Sequence, residues 1–272
     1  MRRPLLTDKN FQKQLDELGY VIIPNMFSSQ SISEAYKLYK LYFKEENTSD
    51  PMYWNSIWNL SPLLKNELSN NLKELFLPQL IERVENFEVM FMSIMVKLCN
   101  KDAVCEPHRD FSVLDEEVEE YYNAWTPLVD TDKKNGALFF LPESNNKLPE
   151  ILPMLTDWPY LKYRETIKQR AVTCFAKKGD LVIYKEKTVH GSWANNTLEP
   201  RPNIHFGVLP SNPKLMFLKY NEDQNVEMYE VDKAFYLNDN FSTDVAHHRL
   251  KRTLVKPSYT LTKSDFEELW KV

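Results

Sequence analysis

The sequence predicts a mainly β fold with a helical first third, and two observations lead there. Residues 7–77 hold three stretches with apolar side chains at helical spacing. From Val89 onward the pattern becomes short apolar segments separated by turn residues, as in a β-sandwich or barrel. No internal repeat, low-complexity tract or Ser/Pro linker divides the 272 residues, which suffice for a large core. The chain is therefore read as one domain over 1–272. Residues 1–86 form mainly helical support, 87–210 a barrel core, and 211–272 C-terminal strands and a helix.

The first helix spans 7–18, with Thr7-Asp8 as capping residues, Phe11, Leu15 and Leu18 on one face, and Gly19 as its end. Tyr20 to Pro24 reads as a short buried strand. Ser31 and Glu34 have capping-box spacing and open a helix through Ala35, Leu38, Leu41 and Tyr42. A third helix fits 63–77, and Pro78 is expected to break or kink it. Val89 to Leu98, interrupted only by Ser93 and Lys97, is too apolar for a surface strand. Strands follow near 104–113, 123–130, 136–141, 171–176, 180–184, 188–193 and 201–210, with turn residues such as Asn135-Gly136 and Lys178-Gly179-Asp180 between them. The stretch 145–170, with Pro149, Pro153 and Pro159, reads as a lid-like excursion over the barrel. Ser264 to Val272 ends the chain as a short helix.

Composition excludes several functions. With five glycines and neither GxGxxG nor GxxxxGKS/T, dinucleotide and P-loop sites are unsupported. A net charge of −5 implies no affinity for nucleic acid or acidic membrane. Met1-Arg2-Arg3-Pro4 leads into Asp8, Lys9 and Asn10, so no signal peptide is expected, and no apolar run spans a membrane. Three cysteines without CxxC spacing suit a reducing, cytoplasmic setting.

Five histidines narrow the search for chemistry. Within a strand, residues i and i+2 share a face, so His108 and Asp110 converge while Arg109 points away. One imidazole and one carboxylate make two thirds of a facial triad for non-haem Fe(II), and His190 is the candidate third ligand. Three ligands on one face leave room for a chelating 2-oxo acid and O₂. An HxD alone is a common accident. Arg201 follows His190 after an Asn195-Asn196 turn, where its guanidinium can meet a carboxylate across the hairpin. Flanked by Pro200 and Pro202, it reads on its own more readily as a surface residue. Ser192 shares the face of His190. Lys97 either reaches an acid group or snorkels to solvent. His247 and His248, among Arg249, Lys251 and Arg252, read as solvated.

These residues resemble the phytanoyl-CoA dioxygenase-like Fe(II)/2-oxoglutarate oxygenases over about residues 10 to 210. The resemblance runs through Leu18-Gly19-Tyr20-Val21-Ile22-Ile23-Pro24, His108-Arg109-Asp110, Asn123 to Asp130 and Asn135-Gly136-Ala137-Leu138. It closes on Gly179-Asp180, His190-Gly191-Ser192, Asn195, Arg201 and Gly207. It implies a double-stranded β-helix (jelly-roll, cupin-like) barrel, with His108, Asp110 and His190 as iron ligands. It further implies that Arg201 and Ser192 hold the far carboxylate of 2-oxoglutarate. Trp125 then lines that pocket or is simply core, and Lys97 is a further co-substrate residue. Arg109, Phe111, Trp193 and His205 are expected around a small-molecule substrate. The implied reaction hydroxylates an unactivated C–H bond with release of succinate and CO₂. Related halogenases carry a small residue in place of the carboxylate ligand, so Asp110 favours hydroxylation. Two departures stand out: Pro142-Glu143-Ser144-Asn145 where the family often has Pro-Gly-Ser-His, and Arg109 where Gln is common. The alternatives are a non-oxidative metal enzyme on the same fold, or a ligand-binding regulator, against which the complete triad counts.

Overall fold

The computed structural model describes residues 4–44, 50–148, 153, 160–237, 244–255 and 263–270. The leading Met1-Arg2-Arg3, Pro149, Pro159 and the last two residues of the expected terminal helix lie outside these.

Helix α1 (Lys9–Leu18) is capped by Asp8, whose carboxylate accepts the N–H groups of Asn10 and Phe11, and Gly19 closes it. It leads into β1 (Tyr20–Ile23). Helix α2 (Ser29–Tyr42) begins before the expected Ser31. Ser28 is the cap: its hydroxyl accepts the Ser31 N–H, while Glu34 pairs with Lys37 instead of closing a box. After β2 (Tyr53–Asn55) and the short α3 (Ser56–Asn59), α4 (Pro62–Leu80) continues past Pro78 instead of breaking there. The proline removes one hydrogen bond, whereas continuing the helix seals Phe76 and Leu80 completely from water. Burying such a side chain is worth roughly 1.5–3 kcal/mol, enough to outweigh that bond.

The strands then arrive close to where the turn signals put them: β3 (Phe87–Lys97), β4 (Cys105–His108), β5 (Tyr122–Pro127) and β6 (Leu138–Phe140). After α5 (Ser144–Lys147) and α6 (Arg164–Arg170) come β7 (Val172–Thr173), β8 (Leu181–Lys185), β9 (His190–Ser192) and β10 (Arg201–Pro210). They form two antiparallel sheets, one ordered β1-β8-β5-β10-β3-β2 and one ordered β4-β9-β6-β7. The first third is therefore more than support, because β1 and β2 are the outer strands of the larger sheet.

Side-chain alternation divides the core in two. Ile94, Val96, Ala124, Ile183, Ile204 and Phe206 on the outer face of the larger sheet pack with Leu68, Leu72, Phe76 and Leu80 of α4. Tyr20, Trp125, Val182 and Tyr184 on its inner face pack with Leu138 and Phe140 of the smaller sheet, and Tyr20 stacks on Phe140 at 4.3 Å. Two facing antiparallel sheets with a core between them make the expected barrel. A third sheet of β11 (Met216–Tyr220), β12 (Val226–Glu230) and β13 (Arg249–Leu254) follows, then α7 (Lys233–Leu237) and α8 (Lys263–Glu268) in their sequence places. Phe266 of α8 stacks on Tyr163 at 4.4 Å, so the end of the chain packs on the described part of the 145–170 segment.

Gly191 sits where β9 presses on both neighbours. A β-carbon there would overlap the Cys105 carbonyl oxygen and the Phe139 ring. Gly191→Ala is expected to lower stability by about 1–3 kcal/mol, the range for overpacking, read from the denaturant midpoint at constant m-value.

Candidate functional site

Strand pairing builds the centre. β4 and β9 run antiparallel with His108 opposite His190 and Cys105 opposite Ser192, setting the two imidazoles 4.4 Å apart. His108 Nδ1 lies 2.9 Å from the Glu106 carbonyl and His190 Nδ1 lies 3.0 Å from that of Thr188. Each Nδ1–H donates to its carbonyl, which leaves each Nε2 lone pair free to bind a metal. Asp110 lies two residues past the end of β4, so its place does not come from strand alternation. Its Oδ1 is nonetheless 3.9 Å from His108 Nε2 and its Oδ2 3.7 Å from His190 Nε2. One donor atom from each of the three residues falls within 4.8 Å of the other two. Two imidazole nitrogens and a carboxylate oxygen suit non-haem Fe(II). Burial, then the charge of His108, pushes the His190 pKa down to about 4, keeping it neutral as a ligand must be. Burial opposes charge on His108 too, but Cys105 and Asp110 outweigh it and hold its pKa up at about 9, so a metal binding at its Nε2 displaces a proton.

Beside this set lies a nest of buried cations. Arg201 of β10 and Tyr53 of β2 both stand opposite Lys97 of β3. Lys97 Nζ donates to Ser192 Oγ at 3.1 Å and to Tyr53 Oη at 3.3 Å, and those two hydroxyls are 2.6 Å apart. Arg201 donates through Nη1 to Asn203 Oδ1 at 2.7 Å, lies 5.1 Å from the Trp125 ring centroid, and has no partner for Nε. Lys97 is 0 % and Arg201 1 % exposed, and neither forms a salt bridge among the described residues. Burial, then Arg201, lowers the Lys97 pKa to about 7. Burial lowers that of Arg201 to about 10. Two desolvated cations without a carboxylate form a site in want of an anion.

The remaining expected residues divide. His205 stands opposite Trp125 on the inner face, with its pKa lowered by burial against the pull of Asp110. Phe111 is 40 % exposed beside Asp110. Arg109 and Trp193 do not reach the centre. Arg109 is buried, donating from Nη2 to both Glu116 carboxylate oxygens at 2.7 and 2.9 Å, because a buried guanidinium needs a counter-charge. Trp193 lies one residue past the end of β9, packed on Phe139 at 4.8 Å and donating to Thr173 Oγ1. Two residues were not foreseen: Tyr53, and Asn123, which holds Asp110 Oδ2 at 2.7 Å.

A family model for phytanoyl-CoA dioxygenase (PhyH) matches residues 15–203, most of the chain. The chain belongs to the phytanoyl-CoA dioxygenase family. No curated protein sequence matches it. Among solved structures it is similar to the epimerase SnoN in complex with Fe3+, α-ketoglutarate and nogalamycin RO. There the TM-score is 0.54 at 16% identity, over 93% of this chain and 96% of that one. It is also similar to the α-ketoglutarate-dependent carbocyclase SnoK, with TM-score 0.53, 18% identity, and 79% and 89% of the two chains covered. EctD from S. alaskensis, solved with 2-oxoglutarate and 5-hydroxyectoine, gives 0.52 at 16% identity over 76% and 78%. The fold is thus that of non-haem 2-oxoglutarate enzymes. In this phytanoyl-CoA dioxygenase family member the turn at Pro142–Asn145 survives without its glycine. Glu143 takes the left-handed conformation, φ 65°, and its carboxylate pairs with Lys147.

Proposed function

We propose that the chain is an Fe(II)- and 2-oxoglutarate-dependent dioxygenase that hydroxylates a C–H bond of a small molecule. The observation that carries this reading is the adjacency of the two halves: a His-Asp-His donor set and, across Ser192, two buried cations without an anion. Oxalate-like chelation at a metal and a carboxylate some carbons away are what 2-oxoglutarate offers, and each half answers one end. His108, Asp110 and His190 hold the iron and leave three positions open. Arg201 takes the far carboxylate with its fork, Lys97 and the Ser192 and Tyr53 hydroxyls add donors, and Trp125 walls the pocket. When bound, iron supplies the oxidative chemistry, with R–H, O₂ and 2-oxoglutarate giving R–OH, succinate and CO₂. Asp110 fills the place a halide would need. His205, on the same inner face, contacts the substrate.

Purified protein with Fe(II) and 2-oxoglutarate is expected to release succinate and consume O₂ slowly without substrate. Metal binding without any 2-oxoglutarate binding overturns the reading. Lys97 adds a pH signature. With its pKa at about 7 in the free protein, it is neutral above that pH, whereas a bound carboxylate favours the ammonium. Binding above pH 7 therefore takes up a proton, and affinity is expected to fall as pH rises, by up to tenfold per unit. Titration calorimetry in buffers of different ionisation enthalpy measures that uptake, and Lys97→Met is expected to abolish it.

A further inference from the structure

Asp110 is the one member of the donor set outside a strand, so no ladder hydrogen bond fixes its carboxylate. Two residues on the inner face of β5 and just before it do so instead. Asn123 is 2 % exposed and donates from Nδ2 to Asp110 Oδ2 at 2.7 Å. Its other end is taken: Tyr121 Oη donates to Asn123 Oδ1 at 3.2 Å. The Asp110 carboxylate settles the orientation of the amide, because it only accepts. The NH₂ must face it, since the flipped amide would set oxygen against oxygen, and the Tyr121 hydroxyl then donates to the amide oxygen. The Tyr121 ring can lie there because Gly207 stands opposite Asn123 on β10. A β-carbon at that position would come within 2.5 Å of Tyr121 Oη. Glycine in the middle of a strand is otherwise unfavourable, and here it marks the close approach of a side chain.

We infer that Tyr121 and Asn123 are positioning residues that decide which oxygen of Asp110 is offered to the metal. With Oδ2 engaged by Asn123, Oδ1 is the free donor, and Asp110 binds through one oxygen. A carboxylate released from this hold can bind through both and take up a position that a chelating co-substrate needs. The relay thus sets ligand count as well as orientation, which a hydrogen bond serving only the fold does not. This inference rests on the metal-site reading above.

Titration of the metal-free protein with Co(II), a redox-quiet stand-in for Fe(II) with a visible spectrum sensitive to ligand number, tests it without turnover. Asn123→Leu is expected to weaken Co(II) binding about 10- to 100-fold, the range for partners of metal ligands, and to change the absorption band. Tyr121→Phe, lacking one oxygen and so certain to disturb packing least, is expected to weaken binding less and to shift the same band in the same direction. Both shifts, at unchanged melting temperature of the metal-free proteins, support the inference. Parent-like affinity and spectrum in folded Asn123→Leu overturn it. Should Asn123→Leu fail to fold, Tyr121→Phe decides alone: a shifted band supports the relay and a parental one overturns it. A parent protein that takes up no Co(II) removes the metal-site reading and this inference together, an outcome distinct from the others.

Discussion

His190→Ala is expected to lower Fe(II) affinity by more than about 100-fold and to abolish succinate release. The bound on magnitude follows from chemistry: losing even an outer partner of a metal ligand costs 10- to 100-fold, and this substitution removes a ligand outright. The two donors left, His108 and Asp110, offer one nitrogen and one carboxylate, a set too small to compete with water for Fe(II). His190 also packs against Tyr184 at 4.7 Å and Phe140 at 6.2 Å, so the variant leaves a gap in the barrel interior. A stability loss of about 1–3 kcal/mol is expected with it. His190→Gln fills most of that gap and separates the effects, recovering stability while leaving iron binding impaired. Iron content after anaerobic loading and gel filtration, beside a denaturation curve, gives both readings. A His190→Ala protein that retains iron like the parent would falsify the assignment of the third ligand.

Much of this centre is legible in the sequence because its rules are local. The period of two in strands puts Ser192 with His190, and β10 begins at Arg201 and ends at Pro210 as its apolar pattern implies. The same rule puts Asn123 on the face of Trp125. Other features have no local signature. Tyr53 lies on a three-residue strand, and its bond to Lys97 depends on chain pairing across 44 positions. The Arg109–Glu116 pair is decided by desolvation, which forces a guanidinium deep in the protein to find a carboxylate. Ser28 and Ser31 are both good caps, and only the packing of α2 on α4 chooses between them. Glu143 in the left-handed region is likewise imposed from outside. Its neighbour Ser144 is fully buried, bonding the Leu141 carbonyl and the Val189 N–H, and the turn must close around it.

Arg201→Leu is expected to weaken 2-oxoglutarate binding about 10²- to 10³-fold. Truncating one partner of a buried charged pair costs about 2–5 kcal/mol, and each 1.4 kcal/mol is tenfold. The upper part of that range applies because Arg201 is 1 % exposed and backed by the Trp125 ring, leaving a carboxylate no water to turn to. Free protein and complex should respond in opposite directions. In the free protein Arg201 is a desolvated cation with one side-chain hydrogen bond among the described residues, to Asn203, so leucine relieves more than it removes and the melting temperature is expected to hold or rise. In the complex the same charge is what the carboxylate binds. Removing it also lifts the second-largest influence depressing Lys97, so the Lys97 pKa moves up from about 7 and the pH-dependent loss of affinity begins at higher pH. Arg201→Lys keeps the charge without the fork and is expected to fall between, by roughly tenfold, since a point charge replaces a bidentate contact. Calorimetric titration of 2-oxoglutarate into the metal-loaded variants reads all three effects. Equal affinity in parent and Arg201→Leu would mean that the buried cations serve some other anion, because no screening by solvent is available to hide the loss.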